Sequence, residues 1–140
     1  MKWIWLGARL FLGLVFAYAG FMKLMEPAAN FQAVLGQHAF LPAATIPLLA
    51  RLLPWMEWLG GMFLIAGYQT RAVASALALL SLGFIAMLTG TLLAPGSSGD
   101  CGCFGETGLR LSTRQAYLLD WVCLAAACAL ASREDHPKGV

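Results

Sequence analysis

Cys101 and Cys103 are separated by a single glycine in the stretch Asp100-Cys101-Gly102-Cys103-Phe104-Gly105, which lies in a polar segment of an otherwise apolar chain. The glycine lets the backbone turn tightly enough to bring both sulfurs together. A disulfide between them closes a very small ring, and disulfides held off their preferred geometry are more easily reduced. Such a pair suits electron exchange. A soft-metal site for copper or mercury is a second reading, because thiolates favour such ions. Zinc wants four ligands, and the segment has neither a histidine nor a third cysteine, so a metal would need distant help, for instance from His38. An inert thiol pair or structural disulfide is the third reading, but structural disulfides mostly close longer loops. Redox chemistry leads, with Cys101 and Cys103 as the reacting residues and no metal assigned. Asp100 disfavours the neighbouring thiolate, while Arg110 favours it, so the attacking cysteine is left open.

The other pair, Cys123 and Cys128, is five residues apart on a predicted helix. Their Cα atoms would stand roughly 8 Å apart, beyond disulfide reach, so they are expected to be small buried hydrophobes. His38 is expected to be an interfacial histidine, with assistance to thiol exchange the weaker alternative. The tryptophans are expected to act mostly as interfacial anchors.

Four charged residues fall within or near apolar runs: Arg9, Lys23, Glu57 and Asp120. An unpaired charge there costs on the order of 3 kcal/mol or more, so each must face the protein interior or reach an interface. A contact of Lys23 with Glu57 or Asp120 is expected. It would either fix helix register or handle protons in support of the cysteines.

The elements that must position these groups follow from composition. Hydrophobic residues make up 60% of the 140 and charged residues 11%, against about a quarter charged in soluble domains. Spans of about 20 apolar residues are predicted over residues 3–25, 46–68, 71–94 and 112–131. The expected fold is all-α, a single domain forming a four-helix membrane bundle. Ala17-Tyr18-Ala19 mimics a signal-peptide cleavage site, but the apolar run continues through Phe21-Met22, so an uncleaved span is expected. A net charge of +2, scattered along the chain, argues against nucleic-acid binding.

Phe31, Val34 and Leu35 recur at helical spacing, which predicts a short amphipathic helix on the membrane surface between the first two spans. Pro42, Pro47 and Pro54 follow, the last either starting the second span or kinking it. Gly13, Ala17, Gly20, Gly60 and Gly61 are candidates for close helix contacts. The segment from Ser132 onward reads as a polar, mobile tail.

An even span count puts both termini on one side. Lys2, Arg71, Arg133 and Lys138 lie there, against Lys23, Arg51, Arg110 and Arg114 on the other side, so the positive-inside rule gives a near tie. A working disulfide is more at home in an oxidising compartment. The cysteine segment is therefore expected outside a bacterial-type cytoplasmic membrane, with both termini inside.

Gly20-Phe-Met-Lys-Leu24, Leu53-Pro-Trp-Met-Glu57 and Asp100-Cys-Gly-Cys-Phe-Gly105 occur in an order that resembles the MauE group of methylamine-utilisation membrane proteins, within the DoxX-like superfamily. The resemblance implies a redox role with a secreted or membrane-anchored thioredoxin-like partner. In the methylamine system it implies maturation of the disulfide-rich small subunit of methylamine dehydrogenase. The membrane Cys-x-x-Cys of quinone-linked disulfide oxidoreductases of the vitamin K epoxide reductase type has no counterpart here, so neither a quinone nor any other cofactor is expected. The leading expectation is a thiol–disulfide exchange protein. A soft-metal handling protein and a non-catalytic assembly scaffold are the alternatives.

Overall fold

A bilayer offers the backbone no hydrogen-bond partners, so an apolar chain crosses it as helices that satisfy themselves. The computed structural model describes residues 2–36, 41–93 and 112–133. Its regular elements are α1 (Lys2–Met25), α2 (Ala28–Gly36), α3 (Ile46–Ala66), α4 (Thr70–Leu93) and α5 (Thr113–Ser132). All but α2 are long and apolar enough to span a membrane, and their limits fall within about two residues of the predicted spans. The chain is a multi-pass membrane protein.

The helices associate as two antiparallel pairs, α1 with α3 and α4 with α5. Glycine sets the first pair. A Cβ at Gly20 would lie 2.7 Å from the Pro54 carbonyl oxygen, and one at Gly61 would lie 2.6 Å from that of Gly13. These positions fix the register, with Gly20 against Pro54 and Trp58, and Gly13 against Gly61 and Ile65. Leu12, Phe16, Leu64, Leu77, Cys123 and Leu130 fill the core where the two pairs meet.

That register leaves the first turns of α3 beyond the end of α1. The helix α2 covers them: Phe31 and Leu35 pack with Ala50 and Phe84. The apolar face predicted to rest on the membrane surface is thus buried against protein. Pro47 occupies the first turn of α3, where a missing N–H costs nothing. Pro54 lies inside α3 and neither starts nor breaks it, although its ring denies the Ala50 carbonyl an in-helix donor.

Gly67 ends α3 in a left-handed conformation, φ 78°, its N–H donating to Leu64 O while Tyr68 N–H donates to Phe63 O. Arg9 crowds the same glycine, where an added Cβ would meet Nη1 at 3.0 Å. Arg9 therefore sits at the end of the bundle that holds the α3–α4 turn. Arg133 belongs to the bundle and not to a tail, its guanidinium lying 4.5 Å over the Trp5 ring. The rest of the predicted tail lies outside the described residues.

Gly61→Val is expected to disrupt the α1–α3 pair and abolish a monodisperse, helical species in detergent. Gly83→Ala, at a position with nothing within 4 Å of a Cβ, is expected to leave thermal unfolding unchanged or slightly raised. Size-exclusion chromatography and circular dichroism check both.

Candidate functional site: a buried ion pair at the seam

Lys23 stands in the last turn of α1, and Glu57 lies about 16 Å along α3 from its start. The glycine-set register brings them together. Lys23 Nζ donates to Glu57 Oε1 at 2.8 Å and to Oε2 at 3.0 Å. Both residues are buried, at 5% and 1% exposure. In this interior neither charge is hydrated, so each is tolerable only because of the other.

Aromatic rings complete the shell. The ammonium lies 4.9 Å from the Phe31 ring centroid and 4.7 Å from that of Phe84, within cation–π range. Phe31 comes from α2 and Phe84 from α4, so one ammonium draws together four helices. Neither ring was identified as a site residue from the sequence. Phe31 carried a signal only as part of an amphipathic face, and Phe84 carried none.

Beside the pair, a cavity with about 20 Å³ open to water centres separates the two helix pairs. Lys23 and Glu57 line it from one side, Asp120 and Cys123 from α5 on the other, with Phe16 and Phe84 between them. The three charged residues singled out in the sequence thus share one cavity. The expected Lys23 contact is made with Glu57, and Asp120 faces the same space. Cys123 is buried there, as expected, whereas Cys128 is exposed. Their five-residue spacing turns them to different faces, which corrects the expectation that both are buried.

The segment carrying Cys101 and Cys103, with Asp100 and Arg110, lies outside the described residues, as does His38. The end of that segment is defined. Ser112 caps α5 in a reciprocal box, its Oγ accepting from Gln115 N–H at 3.3 Å while its own N–H donates to Gln115 Oε1 at 3.1 Å. Ser112-Thr-Arg-Gln115 is a legible capping signature that the span prediction did not use. It fixes where the cysteine segment rejoins the bundle, about 10 Å along α5 from Asp120.

The fold and site define a four-span helical membrane protein built around an intramembrane ion pair. Residues 1–133 match the family described as methylamine utilisation protein MauE, and the chain belongs to that family. Membership points to a role in methylamine utilisation. No curated protein and no solved structure matches the chain.

Removing one partner strands the other. Lys23→Met or Glu57→Gln alone is expected to lower stability by about 3–5 kcal/mol, whereas the double change to Lys23→Met with Glu57→Leu should recover most of that loss. Denaturant titration in mixed micelles measures the cycle, and additive losses would contradict a coupled pair.

Proposed function

We propose that this protein is a membrane thiol–disulfide exchange protein, using Cys101 and Cys103 against a thioredoxin-like partner outside the cytoplasmic membrane. The observation that carries this reading is the family match over residues 1–133, which takes in the Cys-Gly-Cys sequence. Methylamine utilisation then suggests the maturation of methylamine dehydrogenase as the setting.

The exchange balances within the two proteins. A thiolate of the reduced partner attacks one sulfur of the oxidised partner's disulfide. A new S–S bond forms, the old one breaks, and the departing thiolate takes a proton. Attack by the second thiol resolves the mixed disulfide, so two electrons and two protons pass from dithiol to disulfide.

The distribution of charge in the bundle supports cytoplasmic termini. Lys23, counted from the sequence as a free loop-side charge, is taken up by Glu57. Arg9 lies at the opposite end, beside Gly67. Lys2, Arg9, Arg71 and Arg133 then stand at the terminal end, against Arg51 and Arg114 at the other, a bias that the positive-inside rule reads as termini inside.

Two measurements test the reading. A membrane-impermeant thiol reagent applied to reduced intact cells should label Cys101 or Cys103 and leave Cys123 unlabelled; labelling only after permeabilisation would invert the topology. One of Cys101→Ser and Cys103→Ser, but not both, should accumulate a reductant-sensitive adduct with a secreted thioredoxin-fold protein on a non-reducing gel. Absence of an adduct in both variants, with normal disulfide maturation in the double variant, would leave the scaffold reading in its place.

A further inference from the structure

The titratable groups lining the cavity are Lys23 from α1, Glu57 from α3, and Asp120 and Cys123 from α5; α4 contributes Phe84, and Phe31 of α2 flanks the ammonium. Their formal charges do not cancel, because two carboxylates face one ammonium. The remaining cations are elsewhere: Arg9 is beside Gly67 at the far end, and Arg51 and Arg114 are exposed. An uncompensated negative charge in a low-dielectric interior is costly, and one added proton removes it.

The space fits the same account. The cavity's 20 Å³ exceeds the roughly 10–15 Å³ that one water requires, and a buried water needs two to four polar partners. Lys23, Glu57 and Asp120 supply them from opposite walls. Glu57 takes two of the three donors an ammonium carries, which leaves a third. Lys23 and Glu57 are buried and Asp120 is partly exposed, so Asp120 is the member through which the cluster meets the outside.

We propose that this cavity is a proton-exchange site in which one water links Asp120 to the Lys23–Glu57 pair and a single proton is gained and lost at the carboxylates. In uptake, a proton carried by the cavity water adds to an Asp120 carboxylate oxygen. One O–H bond forms, the water returns to neutrality, and the cluster passes from one net negative charge to none. Release reverses each step. The proposal rests on described residues alone and is independent of thiol exchange at Cys101 and Cys103.

Infrared difference spectroscopy of the full-length protein in lipid nanodiscs tests it, by comparing acid with alkaline buffer in H₂O and D₂O. The expected result is a protonated-carboxyl carbonyl band that grows on acidification, shifts in D₂O, disappears in Asp120→Asn and persists in the Cys101→Ser/Cys103→Ser protein. Circular dichroism accompanies each variant. Should Asp120→Asn lose its helix, Asp120→Glu replaces it, and a displaced band then supports the assignment. Absence of the band from the wild type, its full survival in Asp120→Asn, an unchanged position in Asp120→Glu, or its loss in the double serine protein would overturn the proposal. A missing mixed disulfide with the band intact would reject thiol exchange and leave the proton site standing.

Discussion

A lysine ammonium and a glutamate carboxylate placed among apolar helices leave the chain little choice about how to pack. Either charge alone would have to be hydrated, neutralised or drawn to an interface. Together, with two N–H···O contacts from Lys23 to Glu57, they become tolerable inside the bundle. The contact requires α1 and α3 to meet in one register, and Gly13, Gly20 and Gly61 allow the backbones to approach closely enough for it. Phe31 and Phe84 then close over the ammonium, which gives α2 a reason to fold back across the start of α3. Pair, register and covering helix are parts of one arrangement.

The same arrangement explains why the interior is divided. The pairs α1–α3 and α4–α5 are each tightly associated, and the polar side chains collect on the surface where the pairs face one another. A seam between two rigid pairs is a natural place for a small hydrated cavity. Side chains on opposite walls belong to different packing units and need not interdigitate. Asp120 and Cys123 enter it from the helix whose capping box terminates the cysteine segment. Any rearrangement that draws on α5 acts on the loop junction and on the cavity wall together.

Much of this was legible in the sequence, for definite reasons. Span number and limits follow from the apolar runs. The burial of Lys23 with an acidic partner follows from the cost of an unpaired intramembrane charge. The choice of Glu57 as direct partner was not legible, because it depends on which glycine meets which backbone, a long-range fact with no local signature. The placement of α2 escaped for a similar reason. Phe31 and Leu35 show helical spacing, but spacing does not say whether lipid or Phe84 will cover them. The thiol chemistry of Cys101 and Cys103 shows the opposite imbalance: residue types and spacing speak clearly, and the segment lies outside the described residues.

Stability alone gives little reason for an ion pair at this position. Two well-packed apolar side chains of similar volume would fill the space without the desolvation penalty, and buried pairs replaced in that way often leave a protein as stable or more so. Register alone gives little reason either, since Gly13, Gly20 and Gly61 already hold α1 against α3. What an apolar pair could not provide is a charged wall opposite Asp120. The cavity between them has polar groups on facing sides and room for one water, and it sits in the half of the bundle from which the cysteine segment emerges. Thiol–disulfide exchange moves protons with its electrons, whereas the surrounding helices offer long apolar faces. A polar cluster in that half is the one part of the described bundle whose chemistry could take up and return them.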